Sequence, residues 1–276
     1  MKRLGRGGPG GWLLTLLYIP LLYAIGWLLV QPLAWLGIDL SRETLALVGT
    51  GVSFLLFVLT LPAWIRRRWR RPRPWQSLGI TGPLRSLLAA LLRGGLIAIL
   101  LLTPIVLLLL LNGWASWRGS LTPLWLINVL LLVPVIGLAE ELVFRGWLWG
   151  ELSERLGGDA AAGQRALLIQ ALIFALAHTR FNLGWLPMLG LLIGLSLLGV
   201  ALALQRRADG GSLWGAVGLH GSLVGGWSLL AGGLLELSAE APPWLVGPGG
   251  SSPNPIGGLL GWLGLGLLVG IRQSQW

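Results

Sequence analysis

Leu138-Ala139-Glu140-Glu141-Leu142-Val143-Phe144-Arg145-Gly146 places three formal charges inside an apolar run that begins near Pro123. A charge at the centre of a bilayer-spanning helix costs roughly 2.5–3.5 kcal/mol on insertion scales, so ionisable residues there point to function by default. On a helix, Glu141 and Arg145 stand four residues apart with the acid first, the favourable order for an ion pair, while Glu140 points about 100° away from Glu141. One carboxylate can be neutralised and the other left for chemistry. The blander reading is that the three charges mark the cytoplasmic end of a helix, where charge is cheap.

Composition decides the fold class around that stretch. Of 276 residues, 55% are hydrophobic and 11% charged, against about 25% charged in a typical soluble domain. The chain reads as an all-α, polytopic transmembrane helical bundle. Its 17 Trp and 43 Gly fit, because Trp gathers at membrane interfaces and Gly allows helices to pack closely. The net charge of +10 is carried by short segments flanking apolar runs, which indicates orientation and contact with anionic lipid rather than nucleic acid. With no Cys, disulfides, thiolate ligands and a cysteine nucleophile are excluded. Imidazole chemistry must use His178 or His220, the two histidines of the chain.

Apolar runs predict about eight spans: 11–36, 43–65, 86–111, one from 123 that carries the glutamates and runs on to about 155, one from about 165 carrying Phe174 and His178, then 187–204, 213–234 and 257–271. Arg66, Arg67, Arg68, Arg70, Arg71 and Arg73 form the densest basic block. The positive-inside rule places that block, Lys2, Arg3, Arg6, Arg155, Arg165, Arg206, Arg207 and Arg272 in the cytoplasm, hence both termini there, with Arg42, Arg118 and Arg180 opposite. The chain reads as a single integral membrane domain, 1–276, with a catalytic core at 123–234.

Helix spacing brings the polar residues level. Glu140 lies 19 residues before Asp159, the centre of the turn between the fourth and fifth spans, and His178 lies 19 after it. Both are then about 28 Å from the turn along straight helices. Part of that length is expected to stand in the cytosol, because Arg145, Glu151, Glu154 and Arg155 are costly in lipid. His220 enters from the Asp209-Gly210 turn to a depth of about 15 Å, so Glu140, Glu141, His178 and His220 are expected at one level in the cytoplasmic half. A carboxylate with two imidazoles can hold a divalent metal such as zinc through Glu140, His178 and His220, or activate a water as general base. Each alone is more simply a packed, hydrogen-bonded residue. No His-Glu-x-x-His helix is present. Ser196, in Gly194-Leu195-Ser196-Leu197-Leu198, lacks the second glycine of a nucleophile elbow.

The order Glu140-Glu141-x-x-x-Arg145, Phe174-x-x-x-His178 and then His220, with the approach Ser212-Leu213-Trp214-Gly215, resembles the CPBP family over about 125–230. That family comprises the CAAX-protease and bacteriocin-processing intramembrane endopeptidases, and includes the type II CAAX prenyl endopeptidases of eukaryotes. The resemblance implies a peptide or membrane-protein substrate cleaved near the cytoplasmic face. It implies Glu140 as base, Glu141 as its support paired with Arg145, His178 as partner on the water, and His220 as the oxyanion or metal residue. One position departs: the Asn or Asp usually found four residues after the second His is Val224 here. That departure favours the alternative of a noncatalytic scaffold or immunity-type protein of the same fold. A proton-coupled transporter would also explain the buried acids, but no repeated broken-helix segments are seen.

Overall fold

The computed structural model describes residues 9–35, 41–238, 240–249 and 253–274. Lys2, Arg3, Arg6 and Leu36, the end of the first expected span, lie outside the described residues. Helices α1 (Pro9–Trp35) and α2 (Arg42–Trp64) pair with each other. A π-helical turn, Ile65–Trp69, and the short α3 (Pro74–Leu78) carry the arginine block to α4 (Leu84–Leu111). Strand β1 (Ala115–Trp117) precedes α5 (Pro123–Glu141), which continues without a break through a π-helical stretch, Leu142–Leu148, into α6 (Trp149–Leu156). Then come α7 (Ala160–His178), α8 (Trp185–Ala208) and α9 (Trp214–Leu229), which ends in a π turn, Leu230–Leu234. Strand β2 (Leu235–Leu237), short α10 (Pro243–Val246), a 3-10 turn at Pro255–Gly257 and α11 (Leu259–Gln273) complete the chain.

Among the described residues, six helices are long and apolar enough to cross a membrane: Gly10–Leu33, Arg42–Trp69, Leu84–Leu111, Pro123–Leu156, Ala160–His178 and Trp185–Ala208. The chain is an integral, multi-pass membrane protein. The two remaining expected spans are helices that fall short of that measure. Most of the Gly-rich α9 is buried among its neighbours from Gly215 to Gly221, so it needs no lipid-facing apolar surface. At 15 residues, α11 is about 22 Å long, less than the roughly 30 Å hydrocarbon core. The 34 residues of Pro123–Leu156 extend about 51 Å, so part of that helix stands beyond the lipid.

Two faces are distinct. The loops joining α3 to α4, α6 to α7 and α8 to α9 share one end of the bundle with Arg66–Arg73 residues and the end of α11. There Leu213 donates its N–H to the Gly79 carbonyl (3.0 Å), Arg93 pairs with Asp209 (2.8 Å) and Arg272 donates to Gln205 Oε1 (2.7 Å). The opposite end carries the antiparallel β1–β2 pair, the α7–α8 turn and the Pro-rich segment before α11. The two three-residue strands, not expected from sequence, close that end.

The centre is held by backbone contact. α9 packs against α4 and α5, and glycines allow it: a methyl at Gly137 would lie 2.6 Å from the Val217 carbonyl oxygen, and one at Gly94 2.5 Å from the Leu219 nitrogen. Such small-residue contacts replace the hydrophobic driving force that helices lack in lipid. They also bring His220 against the glutamates of α5.

Candidate active site

Glu140 and Glu141 end α5, just before the π-helical stretch, a feature often found beside functional groups. Their environments diverge. Glu141 is fully buried, and its Oε1 accepts from Arg145 Nη1 (2.9 Å) and lies 2.8 Å from His220 Nδ1. Glu140 keeps 27% exposure and points Oε2 at the other two nitrogens, 2.9 Å from His178 Nε2 and 3.6 Å from His220 Nε2. The structure therefore brings all four candidate residues together, with Arg145 beneath them.

Arg145 was expected to lie toward the cytosol with Glu151, Glu154 and Arg155, but it is completely buried. Glu141 neutralises it, its Nη2 reaches the Gly199 carbonyl (3.5 Å), and its guanidinium stacks 4.2 Å from the Phe174 ring centre. Phe174 separates the charged groups. Its ring tilts on His178 at 4.4 Å and meets His220 edge-on at 5.6 Å, fixing the planes of both imidazoles.

The partners of the Nδ1 atoms assign the tautomers. His178 Nδ1 is 2.8 Å from the Phe174 carbonyl, which can only accept, so that nitrogen bears the proton. His220 Nδ1 faces a carboxylate already paired with Arg145, and donates likewise. In neutral rings both Nε2 atoms then present lone pairs toward Glu140 Oε2, a buried oxygen with no aligned hydrogen bond. Such a convergence is favourable only when a proton or a cation is shared among the three atoms.

The donors suit zinc in kind, two neutral imidazole nitrogens and a carboxylate oxygen. Among the described residues, however, no group of three His, Cys, Asp or Glu is spaced to hold a metal ion together. Val224 is exposed one turn beyond His220, so no carboxamide extends the set there.

Two features escaped the sequence reading. The first is the bond between Glu141 and His220, which gives Glu141 a second task beyond Arg145. The second is Glu151, expected in the cytosol but 1% exposed. Its carboxylate accepts from Thr15 Oγ1 (2.7 Å), Trp64 Nε1 (3.0 Å), Trp69 Nε1 (2.6 Å), Arg68 Nη2 (3.0 Å) and Arg155 Nε (2.9 Å). It ties α1 and α2 to the helix that carries the site. Tryptophans in an apolar chain signal an interface belt, so nothing local marked Trp64 and Trp69 as partners of a buried acid.

Comparison with known proteins follows the same division of the chain. Residues 3–73 match a domain of unknown function (DUF8676). No curated protein and no solved structure matches. Residues 122–224, the segment carrying Glu140, Glu141, Arg145, Phe174, His178 and His220, match the family model of the Type II CAAX prenyl endopeptidase Rce1-like proteins.

Proposed function

We propose that the chain is an intramembrane endopeptidase in which Glu140 and His178 activate the attacking water. The observation that carries this reading is the meeting of Glu140 Oε2 with both Nε2 atoms while Glu141 and Arg145 neutralise each other below. Glu140 is the reactive carboxylate because it alone of the pair keeps exposure, whereas Glu141 is fully buried against Arg145 and His220. It takes a proton from water as the oxygen attacks the peptide carbonyl. The His178 Nε2 lone pair then accepts a hydrogen bond from the new Glu140 hydroxyl, so the close contact becomes favourable as chemistry proceeds. The same proton passes to the leaving amine. His220 faces the same Glu140 oxygen from Nε2, and its Nδ1–H bond to Glu141 fixes the ring beside the reacting carbonyl.

A divalent ion such as zinc would have to draw Glu140, His178 and His220 into a spacing they do not hold in this arrangement, and when bound would supply Lewis-acid polarisation of the water. The substrate would be a peptide or the flank of a membrane protein. The arginine distribution supports cytoplasmic termini, and exposed Arg66, Arg67, Arg70 and Arg73 support anionic lipid contact at that surface. Glu140→Gln tests the assignment, since Gln keeps shape but accepts no proton. Purified Glu140→Gln and His178→Ala proteins should lose hydrolysis of membrane-associated peptides by a factor of about 10² or more while staying folded. Full activity in Glu140→Gln would leave a noncatalytic binding scaffold, the reading Val224 favours, as the better account.

A further inference from the structure

The site is closed toward the arginine face. On that side Arg145, Gly146, Trp147 and Leu148 of the π-helical stretch are buried, as are Gly215 through Leu219 on α9 and Ala171 and Ala175 on α7. On the other side a cleft of about 460 Å³ begins one turn past the imidazoles. Leu223 and Val224, three and four residues after His220, form its floor, and Arg180, two residues after His178, stands in its wall. Its walls include the far ends of α5 and α9, at Trp125, Trp227 and Ser228, and the 253–256 segment, on the side of the bundle that carries the β1–β2 pair, with Leu102 of α4 beside them. The size lies within the roughly 300–1,000 Å³ of ordinary ligand pockets.

We infer that substrate reaches the site through this cleft, from the face opposite the arginine block, and that it is an apolar peptide segment with an acidic residue beside it. The arginine distribution makes that face extracytoplasmic. Cleavage near the cytoplasmic face was expected from depth and from the family resemblance, but residue counting fixes the height of a site and not which end of the bundle is open. The apolar lining selects the segment. Arg180, exposed and the one cation among the lining residues, selects the charge. The nature of the occupant rests on the protease reading, whereas the location of the opening does not.

The chain contains no cysteine, so single introduced thiols report sidedness cleanly. Val224→Cys and Ser228→Cys place thiols in the cleft, Glu236→Cys marks the β2 face and Arg67→Cys the arginine face. In intact spheroplasts a membrane-impermeant maleimide is expected to label Ser228→Cys, Val224→Cys and Glu236→Cys. Arg67→Cys should label only in inverted vesicles, where the cleft thiols lose their labelling. Labelling of Ser228→Cys from the Arg67 side, or from neither side, would overturn the inference, as would Arg67→Cys reacting in intact spheroplasts. Reconstituted protein should cleave apolar peptides bearing an acidic flank when they are supplied on the Glu236 side, and Arg180→Gln should lose the preference for that flank. Cleavage only from the Arg67 side refutes the access route, and an unchanged preference refutes the role of Arg180. Correct sidedness without hydrolysis from either side sinks the protease reading alone.

Discussion

Replacing Glu151 by Ala removes the shared acceptor of two guanidiniums, two indole N–H groups and one hydroxyl. Breaking a buried pair by deleting one partner costs about 3–5 kcal/mol. Arg68 and Arg155 retain 17% and 9% side-chain exposure, so water can recover part of their solvation and the lower end, about 3 kcal/mol, is expected. The indoles add to this, since a buried donor left without an acceptor costs about 1–3 kcal/mol. A loss near 4 kcal/mol is a large share of the roughly 5–15 kcal/mol that holds a typical domain folded. Glu151→Gln keeps one acceptor oxygen and the volume, and should lose about half as much. The measurement is unfolding by titration with sodium dodecyl sulfate, followed by tryptophan fluorescence. Glu236→Gln is the control: its contact with Arg118 is 3.7 Å long and exposed on both sides, and such pairs contribute about 0–1 kcal/mol. A Glu151→Ala protein indistinguishable from Glu236→Gln would refute the claim that this carboxylate joins α1 and α2 to the helix that bears Glu140 and Glu141.

Three further outcomes follow from the site. Glu141→Gln should lower both activity and stability, the latter by about 3 kcal/mol or more in the same titration, because Arg145 is stranded without solvent; lost activity at unchanged stability would show that Arg145 is not held by Glu141. Val224→Asn places a carboxamide one turn from His220, and a turnover gain of up to about 10² in a peptide-cleavage assay is expected from one added oxyanion donor, whereas no gain would mean the reaction does not use that position. Treatment with a chelator followed by zinc should cycle activity off and on if an ion joins Glu140, His178 and His220; activity that persists through chelation assigns the water to Glu140 and His178 alone.

The meeting of Glu140 with His178 was legible because it depends only on counting along an antiparallel helix pair, and α7 starts where Asp159 caps it by accepting from Ala162 N (2.6 Å). The bond between Glu141 and His220 was not. Which way a side chain points around its helix depends on the local turn, and the π-helical stretch after Glu141 departs from the 3.6-residue period that sequence reading assumes. Pairing of Arg145 with Glu141 survived because four-residue spacing still brings them together. Hydropathy separated the six long spans from loops, but α9 is marked by glycine more than by apolar length, since it is enclosed by α4 and α5. The polar cluster at Glu151 joins residues up to 136 positions apart, and no local pattern encodes such a partnership.

The π-helical stretch Leu142–Leu148 also sets how tolerant the chain is to changes of length. At one end of this continuous helix Glu141 must face His220 and Arg145, and at the other Glu151 must face Thr15, Trp64 and Trp69. Each residue of a helix turns its successors by about 100°. Removing a single residue between 142 and 148 would swing Glu151 a quarter-turn or more away from its donors, or carry Glu140 and Glu141 off the imidazoles. Either neighbourhood could keep its register, but not both. An insertion at the exposed Gly157-Gly158 turn changes no such phase, so the fold absorbs length there and refuses it in the seven residues that follow Glu141.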